Sequence, residues 1–330
     1  MKKIIIFSLF LSGIVSYAQT GTNVYSFLNI PVSARQAALG GDAISVRDHD
    51  VSFAIANPSL LNMDSDKQLS VNGGTYLTDS KFGTVAFARD FENGHMATIN
   101  ARYMSYGSFD RTDESGASIG EFKASDVAIG AGYAYQFEED WTIGGGINFI
   151  TSKIDNYTSS AIAGTAGVTY HNKKNKETLS LVLRNFGFQL KSFNGEKENI
   201  AFRVDLGYTK ILKIIPLAIT VTAHDLQQFD ISHQYNINGQ EVGFGRKLAD
   251  HFSVGAELFP EKSFNIRLGY NVKRGNELAV ADQRNFSGLS GGFGIKLRKF
   301  RIDYAHVRYH NSSNVNQIGI SVDLSSHAGE

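Results

Sequence analysis

The sequence predicts an all-β protein, an antiparallel transmembrane β-barrel of about 14 strands with an N-terminal hatch or plug segment. Three observations lead to this fold class. From residue 67 onward, runs of residues alternate between apolar side chains and polar or glycine ones. Most runs have about the length of a tilted strand that crosses a bilayer, roughly 9–11 residues. The connections between the runs also separate by length into two alternating sets.

The alternation assigns two faces to each strand. In the segment 124–153, Ile129 shares one parity with tyrosine, phenylalanine and isoleucine, and the other parity carries glycine, alanine and polar residues. Ile266 and Ile320 sit on equivalent apolar parities of later strands. Inside lipid every backbone polar group must be paired, and a closed barrel leaves no open edge. We therefore expect the apolar parity to face lipid and the glycine-rich parity to face the lumen.

The lengths of the connections orient the barrel, because outer-membrane barrels have short periplasmic turns and longer external loops. The predicted short set is 91–94, 138–140, 171–177, 210–215, 259–262 and 299. The other set contains 105–124, 189–199, 226–249, 272–287 and 309–315, besides the brief 78–80 and 155–158. An even number of strands places both ends of the barrel on the periplasmic side.

Composition and the N-terminus narrow the class of protein. The 330 residues carry a formal net charge of zero and no cysteine, which argues against a general nucleic-acid binder and excludes disulfides and thiolate metal sites.

Two lysines, an apolar run from Ile4 to Val15 and small residues near Ala18 have the layout of a secretory signal peptide. That run is too short to span a bilayer, which takes roughly 20 residues. We expect cleavage after Ala18 and export from the cytoplasm.

The predicted domains are therefore a signal peptide at 1–18, a hatch inside the barrel at 19–66, and the transmembrane barrel at 67–326. The segment 19–66 does not alternate, yet it is too apolar for a solvated tail. Charges of both signs fall on the inward parity, and we expect them to pair with one another and with the plug. They are Arg102, Arg184, Arg203, Arg267, Lys296 and Arg301, against Asp126, Asp205, Glu257, Asp303 and Asp323.

Two motifs carry a family resemblance. "NVYSFLNIPVSARQAALGG" at 23–41 and "NPSLL" at 57–61, followed by the barrel, resemble the PorQ family of the type IX secretion system, a Bacteroidetes branch of the FadL-like outer-membrane proteins. The resemblance implies a non-enzymatic outer-membrane component that holds a PorZ-like surface partner. It also implies an attachment complex with a PorV-like barrel and a PorU-like sortase, which links cargo to lipopolysaccharide.

Aromatic and charged side chains in the predicted external loops are the candidate contacts for such a partner. The loops are 105–122 and 227–250, together with 272–287. Tyrosine, phenylalanine and arginine supply much of the energy at protein interfaces. The candidate partner-binding residues are Tyr106, Phe109, Arg111, Phe229, Tyr235, Phe244 and Arg246. The sequence predicts no catalytic, cofactor-binding or metal-binding residue.

The alternative function is that of a FadL-like outer-membrane channel for the uptake of hydrophobic small molecules. Such a channel needs an apolar pocket in the lumen and a lateral opening, often at a kinked strand. The glycine runs at 144–146 and 291–292 are candidates for such a kink. A barrel enzyme has the least support, because no serine, histidine and acid gather in a recognisable hydrolase motif.

Overall fold

A computed structural model describes residues 23–76, 80–236, 239–278, 286–310 and 313–325. The predicted signal peptide 1–18, residues 19–22 of the predicted hatch and residue 326 lie outside this part of the chain. Fourteen strands close into one antiparallel barrel, in which each strand pairs with its neighbours in sequence and β1 pairs with β14. The predicted fold class is confirmed at this level.

The longest strands are β3 to β7, and the shortest are β9 and β10. Their bounds are β1 Gln68–Thr75, β2 Lys81–Asp90, β3 His95–Thr112, β4 Ser118–Glu138, β5 Trp141–Ile154, β6 Tyr157–Asn172, β7 Glu177–Lys191, β8 Arg203–Ile211, β9 Leu217–Ala223, β10 Phe252–Leu258, β11 Phe264–Asn271, β12 Leu289–Leu297, β13 Phe300–His310 and β14 Ser313–Asp323. The helices are α1 Ala34–Ala38, α2 Phe244–Ala249 and α3 Val272–Glu277. None of the helices in the described residues has the length and apolar character needed to cross a membrane.

The predicted facing of the two parities is correct. Ile129, Ile266 and Ile320 are 62 %, 40 % and 46 % exposed on the outer surface. The intervening residues, such as Asp126 and Arg267, are buried in the lumen. An outer belt of exposed isoleucine, leucine and aromatic side chains is stable against hydrocarbon, so the barrel has the surface of a membrane-spanning protein.

The two ends of the barrel differ in their connections. At one end the turns are all short, and they are 91–94, 139–140, 173–176, 212–216, 259–263 and 298–299. The opposite end carries the three long connections, 192–202, 224–251 and 272–288. We therefore assign this end to the exterior.

One predicted external loop is wrong. Residues 105–124 form no open loop, because β3 and β4 continue as paired strands to a tight turn at 113–117. A register shift between Ser105 and Ser108 marks the point where this pair leaves the wall of the barrel. The pair then extends beyond its neighbours, since β2 begins at Lys81, opposite Ser105. We call residues 106–124 the projecting hairpin. The predicted loop 309–315 is likewise mostly strand.

Most residues of the segment 23–66 are buried against lumenal residues of the barrel strands, and we call this segment the plug. Short helical turns make up the segment, namely α1 and the 3-10 turns Ser26–Asn29, Val51–Ile55, Pro58–Leu60 and Met63–Ser65. Such short turns leave backbone groups unpaired, and side chains supply the partners. Asn57 Oδ1 accepts from Ser59 N at 3.1 Å, and Ser33 Oγ accepts from Gln36 N at 3.2 Å.

Glycines on the lumenal parity make room for the plug. A Cβ atom at Gly144 would lie 2.4 Å from the backbone nitrogen of Ser59, and one at Gly269 would lie 2.2 Å from that of Gly40. The runs 144–146 and 291–292 pair without interruption on both sides, so neither run opens a gap or a bulge in the barrel wall.

An irregularity beside the connection 192–202 lies in β7 instead. Asn185 has a left-handed φ of 58°, and the register between β6 and β7 shifts between Gly164 and Ala166. Asparagine tolerates this backbone conformation better than most residues. The bulge therefore re-aims the outer half of β7, from Phe186 to Lys191, relative to β8.

Candidate functional site

A cavity of about 360 Å³ opens at the external end of the lumen, at the foot of the projecting hairpin. We call it the mouth pocket. Most of its surface is apolar, and aromatic rings form a large share of it. The lining residues are Val24, Tyr25, Tyr106, Phe109, Phe122, Ala124, Asp126, Ser152, Ile154 and Phe193.

The hairpin supplies one wall of the mouth pocket and the start of the plug supplies another. Phe109 of β3 and Phe122 of β4 stack with ring centroids 5.3 Å apart. Across the pocket, Tyr25 is buried and Val24 N donates to Asn199 O at 2.9 Å. This bond fixes the first described turn of the plug against the connection 192–202, so the pocket forms only where barrel, plug and external connection meet.

The polar groups of the mouth pocket are already paired with one another. Asp126 is 5 % exposed and accepts hydrogen bonds from Tyr106 Oη at 2.6 Å and from Ser152 Oγ. Tyr25 Oη pairs with Ser159 Oγ, and Gln189 Nε2 donates to Ser159 Oγ at 3.1 Å. A pocket with apolar walls and a few positioned polar groups is typical of a small-molecule site.

The barrel wall beside the mouth pocket has a gap in its backbone ladder. Pairing between β7 and β8 ends at Arg184 and Arg203, although β7 continues to Lys191. The outer half of β7 contacts residues 198–201 through side chains instead. Asn185 Nδ2 donates to Ala201 O at 3.1 Å, and Glu198 N donates to Gln189 Oε1 at 2.7 Å. We call this boundary between 185–191 and 198–201 the seam.

The periplasmic half of the plug is joined to the barrel by buried ion pairs. Arg35 of α1 contacts Asp48 at 2.6 Å and Glu257 of β10 at 2.8 Å. Glu257 also accepts from Arg267 at 2.9 Å, and Arg267 contacts Asp303 at 2.7 Å. Charges removed from water in this way remain ionised only because each has a partner of opposite sign.

A second charge cluster joins the external half of the plug to β8. Arg203 contacts Asp42 of the plug at 2.9 Å and Asp205 at 3.2 Å. Asp205 also contacts Arg184 at 3.1 Å, and Asn271 Nδ2 donates to Asp42 at 2.8 Å. The lumenal charges of both signs thus pair with one another and with the plug, as the sequence predicts.

Four predicted lumenal charges lie outside these two clusters, namely Lys296, Asp323, Arg102 and Asp126, and Asp126 has the hydroxyl partners given above. Lys296 is exposed and Asp323 is only half-buried, since both lie near the periplasmic rim. Arg102 is buried without a carboxylate partner in the described residues and donates instead to Leu28 O of the plug. A guanidinium group satisfied by a backbone carbonyl fixes the position of that plug turn.

Three of the seven predicted partner-binding residues lie on the projecting hairpin rather than in a loop. Tyr106 and Phe109 line the mouth pocket, and Arg111 forms an ion pair with Asp155 of the neighbouring turn. The sequence predicts them as exposed contact residues, but in the structure two of them line a cavity.

The other four predicted residues belong to the connection 224–251, and none of them lines the mouth pocket. Phe229 stacks on Phe244 with ring centroids 5.5 Å apart. Tyr235 forms an isolated antiparallel bridge to Glu241, and Arg246 of α2 donates to the backbone oxygen of Asn276 at 3.2 Å. The predicted set therefore separates into two groups. Sequence reasoning missed Tyr25 and Phe193, which come from the plug and from another connection.

Comparisons with known proteins fit this geometry. No family model matches the chain, and no curated protein sequence matches it. Among solved structures, the Ralstonia pickettii toluene transporter TbuX has a TM-score of 0.54 at 11 % identity, with 90 % of this chain and 98 % of TbuX covered. A Pseudomonas aeruginosa FadL homologue gives 0.54 at 10 % identity, with 89 % and 98 % covered.

The chain has the FadL-like fold. A third structure, the Pseudomonas putida toluene transporter TodX, supports this with a TM-score of 0.52 at 12 % identity, with 89 % of this chain and 97 % of TodX covered. Identities this low define the fold alone. The finer assignment to the PorQ family stays a prediction, and so do the PorZ-like, PorV-like and PorU-like partners.

Proposed function

We propose that this protein is an outer-membrane channel that takes up small hydrophobic molecules, with the mouth pocket as the site of entry. The sequence predicts this function only as the alternative to the secretion role. The observation that carries it is the apolar cavity at the external end, closed from below by the first turn of the plug. Nothing in this function requires a catalytic residue.

The size and lining of the cavity support a ligand of this class. Its volume of about 360 Å³ lies within the range of small-molecule sites, roughly 300–1,000 Å³. Transfer of an apolar molecule from water onto the stacked rings of Phe109 and Phe122 is favourable, because it removes apolar surface from water. Two of the structures with the same fold are described as toluene transporters, which fits the same class of ligand.

The proposed route leaves the barrel sideways. Below the pocket the lumen contains the plug and its two buried charge clusters, which offer an apolar molecule no favourable surface. Tyr25 lines the pocket and also contacts Gln189 of β7, so the seam lies directly beside the pocket. On the outer side of β7, Phe186 and Phe188 are 44 % and 60 % exposed toward lipid. A ligand that passes the seam therefore moves from one apolar surface to another.

A filled pocket tests this function. Ala124 lines the mouth pocket, so Ala124→Phe places a ring inside it. Ala131 lies on the same strand but on the outer face, and Ala131→Phe is the matched control. Radiolabelled toluene binding by the full chain in lipid nanodiscs, and its uptake by cells that make the protein, are measured for each variant. We expect loss of both activities in Ala124→Phe and wild-type values in Ala131→Phe. Equal uptake by both variants contradicts the proposal.

Docking of a surface protein is a second candidate, and the projecting hairpin favours it. The hairpin stands beyond its neighbours and exposes Phe109 at 44 % and Ile119 at 60 %. Exposed aromatic and aliphatic side chains on a rigid strand pair are suited to contact a partner. In this proposal, which follows the PorQ resemblance, the hairpin and the connection 224–251 hold a PorZ-like protein at the surface.

Purification from detergent separates the two candidates. A surface protein that co-purifies in stoichiometric amount, and that is lost when residues 110–120 are replaced by a short turn, supports docking. A hydrophobic small molecule that co-purifies without a protein, and that is absent from Ala124→Phe, supports uptake. Mass spectrometry of the same preparation identifies both.

A further inference from the structure

A row of lysine and hydroxyl side chains crosses five neighbouring strands on the outer face of the barrel. Paired positions across β2 to β6 form this row, which is Lys81, Ser105, Ser125, Lys153 and Thr158. Directly opposed residues of an antiparallel sheet lie side by side on one face. Both lysines are exposed, so the row presents two ammonium groups and three hydroxyl groups outward.

This row marks the external edge of the apolar belt. Four residues further into the barrel wall, the corresponding row is entirely apolar and consists of Val85, Ala101, Ile129, Phe149 and Ile162. Four residues of strand span about 13 Å, or roughly 10 Å along the membrane normal at a tilt of about 40°. Lys153 therefore lies roughly 10 Å outside Phe149 of its own strand, a separation that fits a headgroup contact above an acyl-chain contact.

Lys191, which is not part of the row, comes close to Lys153 on the same face. Lys191 at the end of β7 donates from Nζ to Thr158 Oγ1 at 2.8 Å, and Thr158 is the cross-strand partner of Lys153. The side chains of Lys153 and Lys191 thus both neighbour Thr158. In the described part of the chain neither lysine forms an ion pair, and the nearby carboxylate of Asp155 is already paired with Arg111. Among the described residues, no carboxylate lies within ion-pair distance of either ammonium group.

We propose that Lys153, Lys191 and Thr158 bind the phosphate group of an anionic lipid in the outer leaflet. Lysine is a strong phosphate ligand, and each lysine near an anionic membrane surface adds to the attraction. The apolar row beneath, with Phe149 and the exposed Phe188 of β7, receives the acyl chains of the same molecule. This juxtaposition of charge above an apolar surface selects a lipid rather than a soluble phosphate, and it is independent of the proposed channel function.

Titration of the full chain with phosphorylated lipid A in micelles of a neutral detergent tests the site. The variant Lys153→Gln/Lys191→Gln removes both charges. The control Lys213→Gln/Lys262→Gln makes the same charge change in two turns at the periplasmic end. Binding is measured by native mass spectrometry. We expect about a fivefold loss per lysine, roughly thirtyfold for the double variant, and little change in the control.

Two further probes identify what is bound. Lipid A without phosphate should bind wild type and the double variant equally weakly, and inorganic phosphate should not displace the phosphorylated lipid. The double variant Lys153→Arg/Lys191→Arg should bind like wild type. The proposal is overturned if the glutamine variant binds phosphorylated lipid A as tightly as the control, if the dephosphorylated lipid binds equally well, or if free phosphate competes. Heat-shifted mobility on gels confirms that each variant has folded.

Discussion

Arg35 of the plug and Glu257 of β10 form an ion pair of 2.8 Å, although 222 residues separate them in the sequence. Both side chains are almost completely buried, so neither charge is stabilised by water. Loss of Arg35 leaves the buried Glu257 with Arg267 and the more distant Arg301, and it removes the close arginine partner of Asp48. Breaking a buried pair in this way costs up to about 3–5 kcal/mol. The position of the plug therefore depends on these pairs more than on its short helical turns.

Removal of the Arg35 charge should open the lumen. In Arg35→Met, Asp48 and Glu257 lose the arginine that they share. We expect this loss to destabilise the seated position of the plug by up to about 3–5 kcal/mol, so the plug leaves that position more often. Single-channel conductance in planar bilayers measures this, with long closed periods in wild type and frequent openings in the variant. Arg89→Met is the control, since Arg89 is half exposed and its nearest carboxylate, Asp66, is 3.9 Å away. Identical closure of both variants would argue against a plug held by charge.

Acid should release the plug only below about pH 4. Burial by itself raises the pKa of Asp42, but His224 and Arg203 outweigh that effect and hold the pKa of Asp42 below its ordinary value. A lowered pKa gives stability that is complete above the ordinary aspartate pKa of about 3.9 and is lost as the pH falls through the lowered value. We expect constant conductance from pH 8 to pH 5 and openings below about pH 4.

The variant Asp42→Asn provides the control for this pH dependence. It leaves Arg203 with one carboxylate fewer at every pH, so openings should already be present at neutral pH. The acid step should then be smaller than in wild type. A change in wild-type conductance between pH 5 and pH 7 contradicts this prediction, because a carboxyl group with a lowered pKa is protonated only below that range.

The sequence predicted the barrel because lipid imposes a regular pattern. Ile129 and Ile320 face hydrocarbon, whereas the residues between them and their neighbours face the lumen. This difference produces an alternation of apolar and polar residues with a period of two, which can be recognised in the sequence. The projecting hairpin 106–124 was missed for the converse reason. Beyond the bilayer neither face needs to be apolar, and its strands read as a polar loop.

The mouth pocket could not be predicted from local pattern. Tyr25, Tyr106 and Phe193 come from three separate parts of the chain, and only the closed barrel brings them together. Tyr106 and Phe109 were predicted as partner contacts because they are aromatic residues in a presumed external loop, and the structure places both in the lining of the pocket. The glycine run 144–146 is visible in the sequence, but its role in admitting the plug becomes clear only from the plug backbone that lies against it.

Trp141 should report the depth of the barrel in the bilayer. It is the single tryptophan of the chain, it points outward at the periplasmic end, and its ring lies 5.1 Å from that of Tyr170. Aromatic girdles lie at the membrane interface. We expect lipids brominated near the headgroup to quench its fluorescence at least about twofold more than lipids brominated near the chain ends. Equal quenching, or none, would place this end of the barrel outside the interface.

A methyl group at Gly144 should disturb the plug, whereas one at Gly145 should not. A Cβ at Gly144 meets the backbone nitrogen of Ser59 at 2.4 Å, closer than any ordinary contact, while Gly145 on the lipid face has no neighbour nearer than 3.8 Å. Backbone atoms cannot rotate away as a side chain can, so Gly144→Ala must displace the turn Pro58–Leu60. Overpacking of this kind costs typically 1–3 kcal/mol.

The pair Gly144→Ala and Gly145→Ala differs only in the face that receives the methyl group. We expect faster proteolysis of the plug and more frequent channel openings in Gly144→Ala, and wild-type values in Gly145→Ala. Both variants should retain the heat-shifted mobility of a closed barrel, because the strand ladder of β5 is unchanged. If the two variants behave alike, the lumenal glycines are not there to admit the plug, and the fit between plug and barrel described above is wrong.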